Sequence, residues 1–186
     1  VIFLEHWSVA SSTALLAATG ILLGFFFIPR LVQSPESVGF VLNLHFVGVL
    51  IFTFGVCHYI TDVILVGGVK ELMPKASDLR ESITQYTAKL GLAESPRPGK
   101  YFPTQRITYP LWVLAVLGIS LTGLFKVAAH AWTLSAGLMG VMTWIHDLTA
   151  LLMTLLLVFH IVAGALVPWS WPLLQSMLTG YVSEDY

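Results

Sequence analysis

Residues 143–164 read TWIHDLTALLMTLLLVFHIVAG, and two features of this stretch decide the fold. It opens into a run, residues 148–183, that contains no Asp, Glu, Lys or Arg. About 20 apolar residues cross a ~30 Å hydrocarbon core as a helix, so a membrane-spanning helix is predicted over about Gly140–Val167, ending at Pro168. The stretch also carries His146 and His160. Fourteen residues at ~100° each leave a phase difference of ~40° and an axial separation of ~21 Å. The two imidazoles therefore look out from one face of one helix at two depths.

Three more charge-free runs lie upstream, at 7–29, 37–61 and 107–125. They predict helices over about His6–Ile28, Gly39–Val66 and Ile107–Ala129. Of the 186 residues, 56% are hydrophobic and 10% charged, against about 25% charged in a soluble domain. A chain this poor in charge has lipid for part of its solvent. The reading is all-α, a four-transmembrane-helix bundle forming a single domain over 1–186, with no internal repeat. Residue 1 is Val, so a few native residues are expected before it. The first apolar run is too long for a signal-peptide core and is read as a retained span.

Net charge is −1, and no nucleic-acid partner is expected. Of nine Lys and Arg, seven fall between Lys70 and Arg106, in a polar segment (residues 67–106) whose Pro74–Leu92 part suits an amphipathic surface helix. By the positive-inside rule this loop is expected in the cytoplasm. Four helices then put both termini there, in a bacterial inner membrane protein. Trp169 and Trp171 are expected at the interface, where indole rings prefer to sit. The single cysteine, Cys57, allows no internal disulfide, and no Cys-x-x-Cys-His is present, so c-type haem attachment is excluded.

Six histidines occur: His6, His45, His58, His130, His146 and His160. Ionisable groups in lipid are costly and mark function. Neutral imidazole is a good axial ligand, and bundles place cofactors between facing helices. Two stacked haem b groups explain the spacing on helix four. Zinc wants one compact cluster, which ligands ~21 Å apart on one helix cannot build. Helix direction supplies the partners: His45 with His146 for an outer haem iron, His6 with His160 for an inner one. His58 is the rival inner ligand. It lies ~220° around the helix from His45, and a bend near Gly48 or Gly55 is the alternative to a role within the bundle. His130 reads as a solvent-exposed loop residue. Asp147 orients a ligand or caps a turn; Asp62 marks the helix end or a polar inner site. Gly20, Gly48, Gly123 and Gly164 admit a porphyrin face or a neighbouring helix. Trp7, Tyr109, Trp112 and Trp144 read as belt or packing residues.

At His6-Trp7 with Gly20, His45 with Gly48, Gly99-Lys100-Tyr101 with Gln105-Arg106, His146 with His160, and Met177-x-x-Gly180-x-Val182-Ser183, the chain resembles the cytochrome b (gamma) subunit of membrane-bound formate dehydrogenase. That family shares broad likeness with the cytochrome b subunits of nickel–iron hydrogenases and thiosulfate reductases. The resemblance implies the same ligand pairs. It also implies an iron–sulfur subunit and a molybdenum or tungsten catalytic subunit on the outer face, and a quinone acceptor, menaquinone, near the inner haem. Lys100, Gln105 and Arg106 are the residues carried over for the quinone or haem-propionate side. Phe102 and Thr104 depart from that family's pattern, which carries Asn and Gly there. A higher oligomer of the complex is left open. The rival readings are a cytochrome b subunit of a hydrogenase or thiosulfate reductase-like complex, and, in another class, a haem-free membrane anchor or small transporter.

Overall fold

The computed structural model describes residues 2–67, 69–94 and 101–181. Among these there is no strand beyond one isolated bridge, and the chain is a helical bundle. Four helices are long and apolar enough to cross a membrane: α1 (Ile2–Leu23), α2 (Pro35–Val66), α5 (Pro103–Ala128) and α6 (Ala136–Ile161). Two short helices, α3 (Val69–Leu72) and α4 (Asp78–Lys89), lie in the polar segment. A π-helical turn at Val162–Leu166, a 3₁₀ turn at Pro168–Ser170 and helix α7 (Trp171–Thr179) follow α6.

Four long helices are present, as the four charge-free runs lead one to expect, but each starts earlier than expected, at Ile2, Pro35, Pro103 and Ala136, and α1 and α6 end sooner, at Leu23 and Ile161. α1 stops at Leu23 and not near Ile28, although the sequence stays apolar to Pro29. Gly24 takes φ +87°, and a Cβ there would meet Arg30 N at 2.8 Å and Ile28 O at 2.9 Å. The chain reverses at once, with Phe25 and Ile28 exchanging backbone hydrogen bonds of 3.0 and 3.1 Å. Only glycine fits so tight a left-handed turn. α2 starts at Pro35, earlier than Gly39. Ser34 caps it by accepting from Ser37 N at 3.1 Å, and a proline in the first turn loses no helical hydrogen bond. Trp169 lies in the 3₁₀ turn, and Trp171 donates to Ala165 O at 3.0 Å.

α1 packs along α2 and α5 along α6, so the bundle is two antiparallel hairpins; α1 also touches α6. Between the hairpins lies a small apolar core of Phe52, Ala115, Met153 and Leu156, with Val9 and Leu16 against it. Most other apolar side chains face outward; Leu65 is 79% and Ile64 74% exposed. Apolar surface on this scale belongs in hydrocarbon. The two ends of the bundle are named here by their connections. The hairpin end carries the loops 24–34 and 129–135, and the loop end carries the polar segment.

At the loop end α4 docks on the start of α5. Arg106 is 7% and Asp78 1% exposed. The guanidinium Nε donates to Asp78 Oδ1 at 3.0 Å and Nη2 reaches the same carboxylate and Glu81. Nη1 donates to Tyr101 O at 2.9 Å, and Lys75 N donates to Asp78 Oδ2 at 2.7 Å. The Arg106 guanidinium, aided by the Lys75 amide, holds the Asp78 carboxyl below the usual carboxylate range. A depressed folded-state value means that the pair's support for docking is fully present above the unfolded Asp value of about 4 and is lost as pH falls through the lower folded value. Asp78→Asn is therefore expected to free α4 at neutral pH, read as faster proteolytic cleavage within 67–102. Cleavage at wild-type rate would show that α4 is held by other contacts.

Candidate haem sites

Each end of the bundle holds two histidines from different hairpins. At the loop end His6 of α1 faces His160 of α6, with ring centroids 6.0 Å apart and planes at 49°. His6 and His160 would be the residues to hold a metal-centred group at this end. Trp7 meets His6 edge-on at 5.4 Å and Trp112 meets His160 edge-on at 6.3 Å. The Trp7 indole donates to Met177 O at 2.9 Å, tying α7 to the start of α1.

At the hairpin end His45 of α2 and His146 of α6 lie within electrostatic range of each other and of Lys126. Each is held by a threonine one helix earlier. His45 Nδ1 is 2.8 Å from Thr19 Oγ1, and His146 Nδ1 is 2.9 Å from Thr122 Oγ1. Gly123 lies beside His146, a Cβ there meeting His146 Cε1 at 3.7 Å. Gly20 and Gly164 have open space on the Cβ side. Gly48 has a different use: a Cβ would crowd Leu16 at 3.0 Å, which makes it a helix–helix contact between α1 and α2. The donor set fits haem. Paired neutral imidazoles suit iron, small residues leave room for a flat macrocycle, and Lys126 is a cation suited to a propionate. Among the described residues no three His, Cys, Asp or Glu side chains converge into a single metal site.

The remaining sequence candidates fall as follows. His58 is bound elsewhere: its Nδ1 lies 2.5 Å from Glu5 Oε1, and Glu5 is only 7% exposed. α2 runs as one helix through Gly48 and Gly55. Asp147 is a turn cap, accepting from Phe26 N at 2.9 Å. His130 is exposed and touches Phe46, with centroids 6.2 Å apart. Asp62 is half-buried near the end of α2. Gln105 is exposed and its Oε1 accepts from Phe102 N at 2.9 Å, capping α5. Arg106 is taken up by Asp78 and Glu81. Lys100 lies outside the described residues, as do Gly99, Val182 and Ser183 of the resemblance.

Sequence reasoning missed Thr19, Thr122, Glu5 and Lys126. Thr19 and Thr122 share one local signal: each directly precedes a glycine in an apolar helix. Glu5 directly precedes His6, and an acid beside a membrane histidine is a signal in itself.

This geometry, four helices with a histidine pair near each end, is that of a membrane cytochrome b. The chain belongs to the prokaryotic cytochrome b561 family, whose family model matches residues 1–180. No curated protein and no solved structure matches it. Membership makes the chain a multi-pass membrane protein with haem b as its cofactor and electron transfer as its work.

Proposed function

We propose that the chain is the di-haem cytochrome b subunit of a formate dehydrogenase-type complex. It anchors that complex in the inner membrane and carries electrons from an iron–sulfur subunit on the outer face to a quinone near the cytoplasmic face. The molybdenum or tungsten subunit that oxidises the substrate stands outside, and both termini of this chain lie inside. The observation that carries the di-haem reading is the pairing of four histidines across two hairpins, with 6.0 Å between the ring centroids of His6 and His160 and the second pair further along the same face of α6. His6 and His160 hold the inner iron, His45 and His146 the outer one. Haem held by these imidazoles would supply one-electron transfer. The residues of this chain position that chemistry. Lys126 supplies a cation at the outer site, and the apolar layer of Phe52, Met153 and Leu156 keeps water from the path between the sites. Gln105, Arg106 and Lys100 lie at or near the start of α5, on the side assigned to the quinone. There the first two support the entry of the chain into the membrane through the contacts described above.

The test is a reduced-minus-oxidised spectrum of the purified protein with haem counted per chain. Two b-type haems are expected, and His146→Ala should leave one. A spectrum with no b-type band would overturn the reading in favour of a haem-free anchor. The subunits that co-purify decide between formate dehydrogenase and the hydrogenase or thiosulfate reductase alternatives.

A further inference from the structure

The threonines at the hairpin end carry more information than their contacts first suggest. Thr19 Oγ1 lies 2.7 Å from Leu15 O, and Thr122 Oγ1 lies 2.6 Å from Gly118 O. Two oxygens this close need a proton between them. A carbonyl has none to give and a hydroxyl has one. Each threonine proton is therefore spent on the backbone of its own helix, one turn back. Only oxygen lone pairs remain for the imidazoles, at 2.8 Å from His45 and 2.9 Å from His146. The imidazoles must supply the hydrogen, so Nδ1–H donates to Oγ1. In a neutral ring the lone pair then sits on Nε2. Both threonines are 3% exposed.

We propose that Thr19 and Thr122 are paired positioning residues. They fix His45 and His146 as Nδ1–H tautomers and present both Nε2 lone pairs to one iron. That iron rests on the di-haem reading above; the tautomers rest on hydrogen-bond geometry alone. The device appears twice, once per hairpin, each time in a Thr–Gly pair one helix before the histidine it serves. The loop-end pair lacks it. Among the described residues, neither His6 nor His160 has a hydrogen-bond partner for its ring, and their ring contacts are with Trp7, Trp112 and each other. An imidazole whose N–H is held by an acceptor is a more basic ligand and favours the ferric state. The two threonine bonds thereby pull the hairpin-end potential down, against the upward pull of the Lys126 cation at the same site.

Thr19→Val and Thr122→Val, with Thr19→Ser and Thr122→Ser as controls, test this in the purified holoprotein by redox titration and haem content. In each valine variant one of two haem components is expected to move to higher potential. The expected size is about tenfold in its ferric-to-ferrous ratio, which is 59 mV for a one-electron couple. The other component should stay in place, and the serine variants should titrate as wild type. Unchanged potentials and haem content in the valine variants would overturn the proposal. So would loss of one haem in the serine variants as well as in the valine ones, since keeping the hydroxyl would then not preserve the site. A wild-type protein without haem would remove the proposed function alone. ¹⁵N shifts of the apo-protein imidazoles still read the tautomers: Nδ1–H is expected for His45 and His146, and Nε2–H at either would overturn the proposal by itself.

Discussion

His6→Ala is expected to reduce the haem content from two per chain to one, while His58→Gln keeps both. The two histidines lie at the same end of the bundle, and sequence distance alone does not separate their roles. Their contacts do. His6 stands ring to ring with His160 at 6.0 Å, whereas the His58 Nδ1 is bonded to Glu5 at 2.5 Å. Glutamine is the right replacement for His58, because its amide still donates to Glu5. Alanine would leave the buried Glu5 carboxylate without its partner. Haem per chain, measured with low-temperature spectra to identify the surviving component, checks the result. If His58→Gln lost a haem and His6→Ala kept both, α2 and not α1 would supply the inner ligand.

Gly118→Ala is the second substitution with a large expected effect. A Cβ at this position would lie 2.4 Å from Thr149 Cγ2 and 3.3 Å from its Cβ. Thr149 is β-branched and its hydroxyl is bonded to Ile145 O at 2.8 Å, so its methyl cannot swing aside freely. α5 and α6 must separate. Overpacking of this kind costs about 1–3 kcal/mol, and the separation falls where it matters. Gly118 is one turn before Thr122, and Thr149 is three residues after His146. The expected outcome is loss of the hairpin-end haem with retention of the other, together with a lower melting temperature in detergent. Thr149→Ser removes the offending methyl and keeps the hydroxyl, so the double variant should regain both haems. A Gly118→Ala protein with wild-type haem content would mean that the hairpin absorbs the methyl without moving the site.

The four spans were legible in the sequence because hydrocarbon thickness imposes a length, and charge-free runs of that length are rare. The juxtaposition of His6 with His160, and of His45 with His146, was legible too, since helix direction and a 100° step set depth and phase. The helix ends were not. An apolar run does not reveal that Gly24 reverses the chain against Arg30, and Ser34-Pro35 reads equally as a stop or a start until the cap is seen. Thr19 and Thr122 were hidden for a different reason. A threonine inside an apolar helix satisfies itself on its own backbone, as both do, and the glycine that follows each does not by itself name a second partner on the next helix. The grip of Asp78 on Arg106 was equally silent, being a choice among several acids and bases in one polar segment.

The two-hairpin packing has a consequence for assembly. The α1–α2 hairpin brings His6 and His45; the α5–α6 hairpin brings His160 and His146. Neither half owns a complete pair at either end. On the proposed pairing each iron would reach across the seam, which the small apolar core, α1 against α6, and the hydrogen bonds from Trp7 to Met177 and from Phe26 to Asp147 also bridge. Cofactor binding would then act as a clasp, because a site completed by both halves couples binding to their closure. Protein made without haem is then expected to be cleaved faster by protease in detergent than the haem-loaded form.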